Sequence, residues 1–178
     1  MSRISEDTEV AVPVRVAYDQ WTQFESFPRF MAGIDRVVQV DDKTLEWTAT
    51  VAGVVKHWRA EIVEQRPADV VAWRSIDGAR NDGEVRFRSL GQDRTMVEVQ
   101  LDLEPEGFVE KAADALGVVE RRVRGDLIRF RDFIESWPQP TGAWRGRVEG
   151  GRAEDDDDDD VETGGVADRE PTEIGRPG

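Results

Sequence analysis

Cysteine is absent from this 178-residue chain, and histidine occurs only once, at His57. A chain without cysteine has no disulfide framework, no thiolate nucleophile and no cysteine ligands for a metal ion. A single histidine argues against a multi-histidine metal site and weakens any hydrolase mechanism centred on that residue. The sequence also has no glycine-rich phosphate-binding loop. We therefore predict neither a metal site nor a bound cofactor.

Long apolar runs and an excess of basic charge are missing as well. No stretch of about 18 or more apolar residues occurs, so no transmembrane helix is predicted. The opening sequence, MSRISEDTEV, lacks the apolar core of a secretory signal and already contains acidic side chains, so we expect a cytoplasmic location. The net charge is −14, whereas phosphate binding depends on clustered lysine and arginine. Nucleic acid is therefore not an expected partner.

The negative charge is divided equally between two parts of the chain that differ in composition. Residues 138–178 contain five arginines and twelve acidic residues, a net of −7 and half of the total of −14. This segment is rich in Gly, Pro, Asp and Glu, and it has too few apolar residues to offset the entropy of ordering. We predict a single folded domain over 1–137 and a disordered acidic tail over 138–178.

Changes in the hydrophobic period give the order of elements in the folded part. The pattern predicts a first strand, two short helices, six strands joined by short turns, and a long C-terminal helix. The ranges are 4–12 for the first strand, 14–24 and 26–33 for the short helices, 34–40, 44–52, 54–65, 69–76, 83–90 and 94–104 for the six strands, and 107–137 for the long helix. Alternation within the strands leaves one dry face, which a single layer, the long helix, covers.

Several stretches of the sequence carry a likeness to a known family. They are VAVPVRVAYDQWTQFESFPRFMAGI near the start, and then WRAEIVEQRP, VAWRS, GARNDGEVRF and VEVQLDLEPEG. Together with the order of elements, they resemble the START-like (helix-grip) superfamily, close to its polyketide cyclase/dehydrase and coenzyme-Q-binding branch. The resemblance implies an α+β helix-grip fold, in which a curved, seven-stranded antiparallel sheet wraps around the long helix. It also implies a cavity for an apolar molecule between sheet and helix.

The inward-facing side chains of the predicted elements are the expected lining of that cavity. From the strands these are Trp47, Trp58, Trp73, Phe87, Val97 and Val99; from the long helix, Leu116, Val119 and Val123; and from the short helices, near an entrance, Phe27, Phe30 and Met31. Any one of these residues also suits an ordinary core. Three tryptophans on three consecutive strands nevertheless favour a flat aromatic or isoprenoid ligand, because rings offer a large apolar area.

Few polar side chains are expected on the dry face, where catalysis would need them. Arg59 is a weak catalytic candidate, because aromatase/cyclase relatives can use an arginine on this strand, but its position in the alternation places it, with His57, on the wet face. Tyr18 and Ser75 remain as inward polar candidates, and Tyr18 also suits simple packing of the first helix.

Three functions fit this sequence. The favoured one is binding or transport of a hydrophobic small molecule, such as a polyketide, quinone or lipid. The second is a polyketide aromatase/cyclase acting on a poly-β-ketone chain. The third is an interaction module whose acidic tail, 138–178, recruits a basic protein partner.

Overall fold

The computed structural model describes residues 2–51, 53–104, 115–136, 147–149 and 152–154. The elements within these ranges follow the predicted order of one strand, two short helices, six strands and a long helix, with two short strands after it. They are β1 (Ser2–Val10), α1 (Val14–Trp21), a 3₁₀ helix (Phe24–Arg29), β2 (Ile34–Gln39), β3 (Thr44–Val51), β4 (Val54–Arg66), β5 (Val70–Gly78), β6 (Asn81–Gly91), β7 (Arg94–Leu103), α2 (Ala115–Ser136), β8 (Arg147–Glu149) and β9 (Arg152–Glu154).

The sheet is a meander closed at one end by the first strand. The order of strands is β1-β7-β6-β5-β4-β3-β2, and every pair in it is antiparallel. β1 pairs with β7 from Ser2 opposite Leu103 to Val10 opposite Thr95. The two short helices connect β1 and β2, which are the opposite edges of the seven-stranded path. This is the predicted α+β helix-grip architecture.

Alternation places apolar side chains on one face of the sheet and charged ones on the other. In β7, Val97, Val99 and Leu101 are buried, and the residues between them face the solvent side. The wet face carries ion pairs across neighbouring strands, such as Arg88 with Glu98 at 3.1 Å. Such exposed pairs add little to stability. Burial of the apolar side chains on the dry face is therefore the main source of the stability that holds the elements in place around the site.

The long helix α2 lies against the dry face through an apolar stripe. Val119, Leu127, Phe130 and Ile134 are its buried residues beyond the first turn, with the three- and four-residue spacing of an amphipathic helix. Polar contacts fix the helix to the edge of the sheet. For example, the Arg124 guanidinium lies 2.8 Å from the Glu6 carboxylate.

Aromatic rings fill the space between the short helices, the sheet and the C-terminal half of α2. We call Tyr18, Phe30, Phe87 and Phe130 the aromatic cluster; each is at most 5% exposed. The rings of Tyr18 and Phe87 meet edge to face at 5.5 Å, and those of Phe30 and Phe130 are 5.2 Å apart. Trp21 joins the two pairs, because its ring lies 6.2 Å from Phe87 and 5.1 Å from Phe130.

The strand predictions differ from the structure mainly at their ends. The first strand lies at Ser2–Val10 instead of 4–12, because its partner β7 begins at Arg94 and leaves Val12 without a strand opposite it. β6 begins at Asn81, two residues earlier than predicted, because Asn81 pairs with Leu103. The second short helix is a 3₁₀ helix. The predicted start of the long helix at residue 107 lies outside the described residues.

Two short strands lie within the range predicted to be disordered, 138–178. β8 pairs with β9 and also with β4, where Val148 is opposite Gln65. Strand pairing uses backbone groups and needs few apolar side chains, which is why composition alone missed it. The other residues of 138–178 lie outside the described residues, and disorder there stays a prediction.

Candidate functional site

A cavity lies between the dry face of the sheet and the N-terminal half of α2. Its volume is about 150 Å³, which matches an engineered apolar cavity of about 150 Å³ that stays dry and binds benzene. Strands β2 to β7, both short helices and α2 all contribute to its wall. The sheet curves around this space, so side chains from strands far apart in the order face one another.

Tryptophan rings form a large part of the wall. Trp47 on β3 and Trp58 on β4 are direct neighbours in register, and their rings stack at 5.5 Å with an angle of 11° between the planes. The ring of Phe27 also lies 5.5 Å from that of Trp47. Trp21 and Trp73 line the cavity as well, so all four tryptophans within the described residues face it. Fixed rings of this kind offer flat apolar surfaces to a ligand.

Three polar side chains interrupt the apolar wall: Asn81 at the start of β6, and Arg122 and Asp126 on α2. The Asp126 carboxylate accepts a hydrogen bond of 2.9 Å from the Ala32 N–H and contacts the Arg129 guanidinium. Burial raises the pKa of the Asp126 carboxyl above its ordinary value, although these two donors oppose the shift.

Arginines of α2 hold the segment between the 3₁₀ helix and β2 against the cavity. Arg122 Nη1 donates to the Ala32 carbonyl at 3.1 Å, and Arg129 Nε donates to the Phe30 carbonyl at 2.9 Å. Gly33 adopts a φ of +81° beneath the Arg122 guanidinium. A side chain there would collide with Arg122 and would lie 2.9 Å from the Thr50 carbonyl oxygen. The glycine thus allows the close approach of helix and loop.

Eight of the twelve residues predicted to line the cavity do face it. They are Phe27, Met31, Trp47, Trp58, Trp73, Val99, Val119 and Val123. Phe30 and Phe87 belong to the aromatic cluster instead, because Phe30 packs against Phe130 of α2 and Phe87 packs against Tyr18 of α1. Val97 is opposite Phe87 in register and is buried with it. Leu116 is 37% exposed. The side of α2 that faces the cavity is centred on Val119, Arg122 and Asp126, and Leu116 lies at the edge of that side.

The polar candidates from the sequence all lie outside the cavity wall. Tyr18 is fully buried, and its hydroxyl accepts a hydrogen bond of 2.9 Å from Gln65 Nε2. Arg59 and His57 are exposed on the wet face, as the alternation predicted. The Ser75 hydroxyl donates to the Asp82 carboxylate at 2.9 Å, at the base of the β5–β6 turn. None of the four therefore faces the cavity, and catalytic roles for Tyr18 and Arg59 stay predictions.

The three polar lining residues were missed in the sequence. Arg122 and Asp126 are four residues apart within the apolar stripe of α2, and charges placed inside such a stripe are the signal that could have revealed them. Asn81 falls in the stretch Asp77 to Asp82, which reads as a turn. Only its pairing with Leu103 extends β6 to include it.

The described residues lack both a cluster of metal ligands and a membrane-spanning helix. Within these ranges, no group of three or more His, Cys, Asp or Glu residues is placed to hold a metal ion. Neither α1 nor α2, as described, combines the length and the apolar character needed to span a bilayer.

Comparison with known families decides the classification. The family model described as "Polyketide cyclase / dehydrase and lipid transport" matches residues 10–131, about two thirds of the chain. The chain belongs to this family. Its match covers the short helices, the whole meander and most of α2.

The chain is also similar to individual proteins. An uncharacterized 17.2 kDa protein of Streptomyces lincolnensis, from the melC2–rnhH intergenic region, is 48% identical over 149 residues, which are 83% of this chain and 99% of that protein. The Zhui aromatase/cyclase of Streptomyces sp. R1128 superposes with a TM-score of 0.65 at 20% identity, over 80% of this chain and 98% of that one. A START superfamily protein of Mycobacterium smegmatis gives 0.58 at 17% identity, over 75% and 94%. These two solved structures share the helix-grip fold.

Proposed function

We propose that this chain binds an apolar small molecule of about one or two rings in its cavity, as a carrier or sensor. The observation that carries the proposal is the stacked pair Trp47 and Trp58 in a wall that is mainly apolar. The pair offers a fixed aromatic surface, so a flat ligand buries apolar area there without ordering new side chains. The volume of about 150 Å³ sets the size of the ligand.

Binding of naphthalene, measured by equilibrium dialysis, tests this proposal directly. We expect saturable binding of one molecule per chain, together with release of a co-purifying apolar molecule when the purified protein is extracted with organic solvent. Val119→Phe places a ring in the cavity and should abolish binding. Leu116→Phe, on the same helix but outside the wall, is the matched control and should leave binding intact. Absence of saturable binding of naphthalene and of its oxygen-bearing analogues to the unmodified chain would overturn the proposal.

The second candidate function is a polyketide aromatase/cyclase, and the charged groups Arg122 and Asp126 in the wall favour it. A buried carboxyl whose pKa is raised suits proton transfer to or from a ketone. The volume argues for the binding role, because a chain that closes into several rings needs more space than about 150 Å³. If cyclisation occurs, Asp126→Asn should change the products formed from a poly-β-ketone supplied by a polyketide synthase. An unchanged product distribution would count against catalysis.

Two expectations from the sequence stay predictions. One is a cytoplasmic location. The other is recruitment of a basic protein partner by residues 138–178. Deletion of that segment tests this expectation, because partner binding should then be lost.

A further inference from the structure

Two side chains in the cavity wall contain buried polar atoms that have no hydrogen-bond partner within the described part of the chain. They are the indole nitrogen Nε1 of Trp47 and the amide oxygen Oδ1 of Asn81. Buried polar groups in proteins are nearly always paired, so each exception needs an explanation. In a binding cavity, a partner that arrives with the ligand is such an explanation.

The Trp47 ring cannot easily turn its N–H toward another acceptor in the chain. Trp58 stacks on it at 5.5 Å, and Phe27 packs against it at 5.5 Å. An indole N–H is a donor only. The group that satisfies it must therefore be an acceptor, such as a carbonyl or hydroxyl oxygen.

Asn81 is held in a similar way at the start of β6. Its backbone N–H donates to the Ser75 hydroxyl at 3.2 Å, and that hydroxyl is itself bonded to Asp82. The nearby hydroxyl is thus already engaged, and the side-chain oxygen of Asn81 lacks a donor. A ligand hydroxyl supplies one.

We infer that Trp47 and Asn81 are the specificity-determining residues of the cavity, selecting an aromatic ligand that carries oxygen over a hydrocarbon of the same size. The inference rests on the proposed binding function and deepens it. Trp47 donates to a carbonyl or hydroxyl oxygen of the ligand, and Asn81 accepts from a hydroxyl. A hydrocarbon in the same place leaves both groups unpaired, which lowers its relative affinity.

The two residues lie on separate walls of the cavity. Trp47 is on β3 and Asn81 is on β6, with β4 and β5 between them. Because adjacent strands are about 4.8 Å apart, this separation exceeds the reach of one oxygen atom. The geometry therefore favours a ligand with oxygens on two sides of its ring system.

The test uses three probes of similar size in equilibrium dialysis: naphthalene, 1,4-naphthoquinone and 2,6-dihydroxynaphthalene. Naphthalene has no polar atom, the quinone has acceptors only, and the diol both donates and accepts. Trp47→Phe should weaken the quinone and the diol about tenfold relative to naphthalene, since each loses one hydrogen bond. Asn81→Leu should weaken only the diol, again about tenfold relative to naphthalene.

Trp73→Phe is the matched control for Trp47→Phe. Trp73 lines the same cavity, but its nitrogen is not among the buried atoms without a partner. Its substitution should change the affinities for all three probes by the same factor. Thermal unfolding of each variant establishes that it is folded before dialysis.

The outcomes separate this inference from the proposed function. If naphthalene binds and the two substitutions leave the relative affinities unchanged, the selection by Trp47 and Asn81 is wrong while the binding function stands. If no probe binds to the unmodified chain, the binding function itself fails, and the inference fails with it.

Discussion

The layer between the sheet and α2 contains two regions built from the same kinds of residue. The aromatic cluster, Tyr18, Phe30, Phe87 and Phe130, is packed ring against ring. The cavity a short distance away is also lined mainly by rings and aliphatic side chains, yet it keeps about 150 Å³ of space. Apolar side chains thus dominate both regions, and the difference in filling depends on which side chains lie opposite each wall.

Opposing rings explain why one region is filled. α1 covers the part of the sheet around Phe87 and brings Trp21 against Phe130. Over the cavity, α2 presents the shorter side chains Val118, Val119 and Val123. Valines cannot reach the rings of the opposite wall. An unfilled volume between well-ordered walls remains, and that volume is the site.

Removal of a ring from the filled region should have the largest effect on stability. Phe130→Ala deletes a fully buried ring that contacts Trp21 and Phe30, and we expect it to lower the free energy of unfolding by about 3–5 kcal/mol. Leu127→Ala, one turn earlier and facing the cavity, should lie near the lower end of the range for its type, about 2 kcal/mol. Urea unfolding measures both values. Equal losses would mean that the two regions do not differ in packing.

Enlarging side chains on β7 compares the two regions more directly. Val97 is buried beside the aromatic cluster, whereas Val99, two residues further on the same face, lines the cavity. Val97→Leu has no space to occupy and should destabilise the fold by about 1–3 kcal/mol. Val99→Leu extends into the cavity and should leave the free energy of unfolding nearly unchanged while it weakens naphthalene binding. The comparison fails if both variants are destabilised alike.

The sequence was sufficient to predict the fold because its signals are local. Alternation in β3 to β7 and the three- and four-residue spacing in α2 each depend on a few neighbouring residues. The boundary errors occurred where a partner strand decides, as at Val10 and Asn81. Gln65 likewise pairs with a strand in the segment that composition had assigned to disorder.

The cavity was predictable only in part, since it depends on which elements meet across the layer. Trp73 and Phe87 both point inward by alternation, but α1 covers only Phe87. No local pattern distinguishes them. Arg122 and Asp126 carried a readable signal as charges on an apolar stripe, whereas the unpaired atoms of Trp47 and Asn81 become evident only in three dimensions.

The glycine beneath Arg122 provides a smaller test, at the edge of the cavity region. Gly33 and Gly53 have similar backbone angles, with φ of +81° and +79°. An added Cβ at Gly53 meets nothing within 4 Å, so Gly53→Ala should cost only the left-handed strain, about 1 kcal/mol. Gly33→Ala must also displace Arg122 and break its hydrogen bond to Ala32, for a total of about 2 kcal/mol. Equal losses in urea unfolding would show that Arg122 does not hold this loop.

The smallest expected effect on stability comes from the Asp126 carboxyl group, since the cavity wall contains charged side chains and the aromatic cluster does not. Burial raises the pKa of Asp126, so the folded protein binds this proton more tightly than the unfolded chain does. The resulting stabilisation is complete below the ordinary value of 3.8 and is lost as the pH rises through the folded pKa. The stability of the unmodified chain minus that of Asp126→Asn should therefore fall as the pH rises across this window.

Asp102→Asn is the control with the opposite sign, since the hydrogen bond from Arg3 lowers the pKa of Asp102. For that variant the same difference should increase with pH. Urea unfolding at a series of pH values measures both slopes, and a difference for Asp126→Asn that is flat or increases would show that the carboxylate at the cavity wall is as well solvated as one on the surface.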